Sequence, residues 1–132
     1  AQALMPIPVL GTTHADQTTE EIPCTPPLED VYIQGDYEIE TGRQIIRHLQ
    51  NLSLNARDIE MILVGHHGPF TWGSSVQKAL DNAVALEEIA KMAYITKSIR
   101  PDSPELPESL KRKHYLRKHG PEAYYGQEKP AG

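Results

Sequence analysis

Proline placement constrains this chain more than any other feature. Eleven of the 132 residues are proline, and apart from Pro69 they cluster at 6–27 and 101–130. Each proline fixes φ and removes an N–H donor, so neither a long helix nor a central strand can run through those two regions. The termini are therefore expected to be irregular, and the longest regular elements belong in the middle. PIPVLGTT at 6–13 reads as a short strand delivered into a polar turn, and IPCTPP at 22–27 as an extended piece that its prolines stop. His14-Ala15-Asp16 lies between them as a loop.

In the middle, Ile45, Ile46, Leu49 and Leu52 recur at helical spacing, with Arg43, Gln44, Arg47 and Gln50 on the opposite side. This predicts an amphipathic helix over 40–52. Met61–Val64 is a four-residue apolar run bounded by acidic and glycine positions, too short for a helix and suited to a buried strand. Ser74, followed three residues later by Gln77, forms a capping-box pattern. Beyond it Val76, Leu80, Ala83, Leu86, Ile89, Ala90 and Ala93 make one apolar stripe, so the longest helix is expected at 75–98. A last helix starts near Pro107, where a missing N–H is harmless, and stops at Gly120-Pro121. Its second half holds Lys111, Arg112, Lys113, Arg117 and Lys118, either as a solvated end complementing the helix dipole or as a phosphate or partner site. Strands alternating with helices indicate a layered α/β domain.

A chain of this length fits one domain, and 39% hydrophobic residues make a lean but usable core. Eighteen acidic against thirteen basic side chains give a formal charge of −5, whose field repels nucleic acid. No apolar run is long enough to cross a bilayer and the first ten residues lack a secretory layout, so no membrane partner is expected. Cys24 is the only cysteine, which rules out an intrachain disulfide and a cysteine-cluster metal site and fits a reducing cytoplasm. The chain begins with Ala1 in a sequence of mid-domain character, so a fragment is expected.

The stretch VGHHGPFTWG at 64–73 carries two adjacent histidines at the carboxyl end of the expected strand. Neighbours on a strand point to opposite faces, so His66 and His67 do not share one ion, and at most one faces a site. Ligands bind at such strand ends in α/β sheets, and Gly68-Pro69 supplies a rigid turn that fixes the imidazole direction. Taken alone, a histidine there is more often a structural residue than a ligand. Zinc needs about three protein ligands, and no H-x-H, H-x-x-x-H or HExxH pair offers the others. Asp16 and Tyr124-Tyr125 are candidate proton carriers; an Asx-turn and a packing role are the plainer readings of each. No phosphate loop, nucleophile elbow or reactive Cys–His arrangement is present.

Taken together, GTTHAD at 11–16, IPCT at 22–25, GDYEIETG at 35–42, HHGPFTWG at 66–73, DNAVALEEIA at 81–90 and KHYLRKHGPEAYYGQ at 113–127 resemble the L-ribulose-5-phosphate 4-epimerases of the class II aldolase and adducin-like family. The resemblance implies a class II aldolase-like fold, a central β-sheet layered by helices, of which residues 1–132 would be the carboxyl-terminal portion of a single domain, with the amino-terminal part absent. It also implies a cytoplasmic homotetramer with active sites between subunits, acting on a pentulose 5-phosphate. Family members break the C3–C4 bond to an enediolate and glycolaldehyde phosphate, then re-form it with inverted C4; arabinose and ascorbate breakdown both use such enzymes. A histidine-held Zn2+, or another divalent cation, stabilises the enediolate oxygens.

Carried over by motif, the resemblance makes His67 the metal ligand rather than His66, Asp16 one acid/base group and Tyr125 the other, the tyrosine supplied by a neighbouring subunit. Glu38 and His114 fall in matched motifs as orienting groups, and Arg117 as a phosphate-neutralising or subunit-tying residue. The family's upstream H-x-H pair and its phosphate site have no counterpart here, which implies that these residues alone are inactive. Gln17-Thr18-Thr19-Glu20 replaces aromatic residues often found after HAD, and Glu128–Gly132 extends past the YYGQ ending. The alternatives are a sugar-phosphate aldolase of the same fold and a non-catalytic adducin-like interaction module.

Overall fold

The computed structural model of the chain describes residues 1–125. Strand β1 (Met61–Val64) is buried along its length and pairs antiparallel with β2 (Gly68–Thr71), Met61 opposite Thr71 and Val64 opposite Gly68. Because side chains alternate along a strand, Met61 and Leu63 join Ile7, Ile22, Leu86 and Ile89 on one face, while Ile62 joins Leu49 and Ile59 on the other. Helix α3 (Tyr37–Asn51) supplies Leu49, and helix α4 (Val76–Ile99) supplies Leu86 and Ile89. The strand is thus covered on both faces, which is why MILV has no polar residue. Each such side chain contributes about 1.5–3 kcal/mol on burial.

The other edge of β1 is taken by the proline-rich segment. Leu63 donates to the Pro23 carbonyl at 2.8 Å and accepts from the Thr25 N–H at 2.9 Å, making a parallel bridge between Cys24 and Leu63. Ile7 and Ile22 exchange antiparallel bonds of 2.9 and 3.0 Å. The strand expected over 6–13 reduces to that one bridge, because Pro6 and Pro8 on either side of Ile7 have no N–H to offer a ladder. Among the described residues the layered sheet is therefore two strands flanked by extended bridges. His14-Ala15 is not loop but part of one helical turn, α1 (Thr12–Ala15), and a second single turn, α2 (Asp30–Ile33), was not foreseen.

The helices keep their expected places with altered faces. Helix α3 begins at Tyr37, earlier than expected, and buries Thr41, Gln44 and Leu49 while Ile46 and Leu52 stay exposed. Gln44 turns inward because its amide donates to the Pro26 carbonyl at 3.0 Å. Helix α4 is capped by Ser75 rather than Ser74, its Oγ accepting from the Lys78 N–H at 3.1 Å. Helix α5 (Glu108–His119) follows Pro107 and stops at Gly120, as expected. Of its cations, Lys111 is buried between Glu105 and Glu108 at 2.9 Å each, and hydrogen bonds to these two carboxylates, Glu105 first, raise its pKa. No helix among the described residues is long and apolar enough to cross a membrane.

Candidate functional site

The candidate side chains fall into two groups, and they stand on different elements. The first is built on the hairpin. Gly65, His66 and His67 are not strand residues but the turn joining β1 to β2, closed by the His67 N–H donating to the Val64 carbonyl at 3.0 Å. Strand alternation therefore does not separate the two imidazoles; the turn does. His66 sits at φ 61°, in the left-handed region that a β-carbon disfavours, and is exposed. Gly68-Pro69, expected as a rigid turn, opens β2 instead.

The His67 ring is bonded through Nδ1 to the Tyr37 hydroxyl at 2.8 Å, and its face lies 5.5 Å from the Phe70 ring. His67 borders an apolar cavity of about 550 Å³ whose walls include Leu63, Pro69, Leu86, Ala90 and Tyr94. Its Nε2 makes no hydrogen bond among the described residues. An imidazole held through one nitrogen leaves the other available as a ligand. Among the described residues no three His, Cys, Asp or Glu side chains converge, so this chain's donors fit a metal as one ligand of a set, not as the set. Glu38 is exposed on the first turn of α3, beside Tyr37.

The second group joins α1 to α5. Asp16 Oδ1 lies 3.0 Å from His114 Nδ1 and accepts from Arg117 Nε at 3.2 Å, while Oδ2 accepts from Arg117 Nη2 at 3.1 Å. His119 Nε2 reaches the Asp16 main-chain carbonyl at 2.8 Å. The side chains of Asp16, His114 and Arg117 are all less than a quarter exposed, and the hydrogen bonds that Arg117 donates to Asp16 raise its pKa above the ordinary value. Arg117 also lies over the Tyr125 ring, 4.1 Å from the centroid. One guanidinium thus touches both candidate proton carriers.

Asp16 and Tyr125 both meet Arg117, whereas His67 is held by Tyr37 and Phe70, and among the described residues no hydrogen bond, ion pair or ring contact joins it to Asp16 or Arg117. Gly126 and Gln127 of the YYGQ motif and the tail 128–132 lie outside the described residues. Tyr37 and His119 escaped sequence reasoning. Tyr37 stands inside the GDYEIETG motif, but nothing in its spacing points to a histidine 30 residues on. His119 stands inside the KHYLRKHGPEAYYGQ motif, but nothing in its spacing points to the Asp16 main-chain carbonyl. The family model of the class II aldolase and adducin N-terminal domain matches residues 1–94, a span that holds Asp16, Tyr37 and His67 and ends before α5.

Proposed function

The chain belongs to the class II aldolase and adducin family, and from that premise we propose that it is part of a zinc-dependent L-ribulose-5-phosphate 4-epimerase. The family gives it an aldolase-like or an adducin-like role; the epimerase reading is the finer step. What carries it is the convergence of Asp16 and Tyr125 on Arg117. The same cluster could serve structure alone, so the reading rests on the residue types it joins: a carboxylate and a phenol, the two proton carriers the reaction calls for. In the cytoplasmic homotetramer this reading calls for, the active sites lie between subunits and a neighbouring subunit supplies Tyr125 to the site that holds His67.

His67 would hold a divalent cation through Nε2, with the remaining ligands coming from outside the described residues. Such a cation supplies electrostatic stabilisation of the developing enediolate. In the substrate, removal of the C4 hydroxyl proton lets the C3–C4 bond break, leaving an enediolate and glycolaldehyde phosphate. The aldehyde rotates, the bond re-forms on its other face, and a proton returns to the C4 oxygen. Asp16 and Tyr125 serve the two faces, one accepting the proton and the other delivering it. Arg117 orients Asp16, because its guanidinium donates three hydrogen bonds to the carboxylate.

The test is conversion of L-ribulose 5-phosphate to D-xylulose 5-phosphate by the full-length protein. Tyr125→Phe and Asp16→Asn should each lower kcat by roughly 10²–10⁴-fold, the usual worth of a general acid or base. His67→Ala should abolish the metal-dependent rate. Release of a free aldehyde and ketone, with no epimer formed, would establish the sugar-phosphate aldolase instead.

A further inference from the structure

We propose that Tyr37 is the positioning residue for His67: its phenol oxygen accepts the Nδ1 proton, which leaves the Nε2 lone pair directed outward as the ligand. The inference rests on the metal reading of His67 and adds the group that makes it work. The hydrogen bond, 2.8 Å long, joins the first residue of α3 to the hairpin turn. An imidazole carries one proton when neutral, so a bond through Nδ1 decides which nitrogen is free. With the proton on Nδ1, Nε2 is a donor to a cation; with the phenol donating instead, Nε2 carries the proton and is blocked.

Both ends of this bond are braced independently of it. On the turn side, the Gly65 N–H donates to Thr25 Oγ1 at 3.1 Å. A β-carbon at Gly65 would lie 2.6 Å from the Thr25 carbonyl oxygen and 3.0 Å from the Pro26 carbonyl carbon, so only glycine lets the turn approach this closely. On the helix side, Gln44 donates to the Pro26 carbonyl and lies 3.4 Å from Thr25 Oγ1. Thr41 Oγ1 also donates to the Tyr37 carbonyl at 2.8 Å, closing the first turn of α3. Residues 25–26 therefore clamp the hairpin turn and α3 to one another, and Tyr37 meets His67 without either element having to move. Phe70 lies against the imidazole and limits its rotation.

Tyr37→Phe tests this directly, because it keeps the ring that lies 6.1 Å from His67 and removes only the oxygen. In the metal-free full-length protein at mildly alkaline pH, ¹⁵N spectra should give His67 as the Nδ1–H form, and Tyr37→Phe should shift it toward the Nε2–H form; the zinc titrations use the same full-length protein. Zinc titration followed on the same imidazole signal should give an affinity roughly 10–100-fold weaker in Tyr37→Phe, the usual effect of removing an outer partner. An Nε2–H form in the unaltered protein, or equal zinc affinity in both, overturns the role of Tyr37. A His67 signal indifferent to zinc in the unaltered protein overturns the metal reading itself, and the two failures are therefore distinguishable.

Discussion

His14 is buried in the same motif that exposes its neighbour Asp16 to α5. Its Nε2 lies 3.0 Å from the Glu20 carbonyl, and burial lowers its pKa below the ordinary value. The carbonyls of Glu20 and Pro8 and the charge of Glu105 pull the other way, and Lys111 adds to the depression, but burial is the largest effect. A depressed histidine pKa means that the unfolded chain binds the proton first as pH falls. Stability is therefore full above the unfolded value of 6.5 and declines as pH drops from there toward the lower folded pKa. His48, lowered by burial as well, acts in the same window. Urea midpoints measured at several pH values from about 8 down to 5 should fall, and His14→Gln should flatten that slope whatever it does to absolute stability. An unchanged slope in His14→Gln would mean that the imidazole is not buried neutral.

At the scale of elements, the cap of α4 is decided by geometry that sequence could not supply. Ser74 and Ser75 are chemically identical, and the Ser74/Gln77 pattern favours the first, but it is Ser75 that has the extended backbone of a cap and an Oγ 3.1 Å from the Lys78 N–H. Ser75→Ala should therefore cost about 1 kcal/mol, as helix N-caps do, and Ser74→Ala only a few tenths; paired denaturation curves check both. The same division runs through the rest of the fold. Strand β1 and the spans of α4 and α5 were legible because runs of apolar residues, prolines and glycine act locally. Gln44 was misplaced because its burial depends on the distant Pro26 carbonyl. Asp16, His67 and Tyr125 were legible as candidates only through motifs. Their partners, Tyr37 for one and Arg117 for the others, come from tertiary packing that no periodicity encodes.

For the whole molecule, α4 poses the remaining question of what covers it. Sequence placed Val76 and Leu80 on one stripe with Leu86 and Ile89, yet Val76 is 89% and Leu80 56% exposed while Leu86 and Ile89 are buried. At 100° per residue, Val76, Leu80, Val84 and Ile95 lie on one side of the helix and Leu86 and Ile89 on nearly the opposite side. The side of the helix away from the sheet exposes apolar residues, Val84 60% and Ile95 46%, interleaved with the exposed Glu87 and Lys91. Exposed apolar residues grouped on one side of a helix are the kind of surface that assembly covers. Assembly of several copies would cover Val76, Leu80 and Val84. Sedimentation should accordingly find the chain self-associated at concentrations of order 10–100 μM, within the range where such patches drive association. The double substitution Leu80→Glu and Val84→Glu should move it to monomer without loss of helical circular dichroism, since neither side chain belongs to the core. If the unaltered chain is already monomeric there, or if the double variant keeps the same oligomer, the exposed stripe of α4 is not the contact and subunits must meet elsewhere.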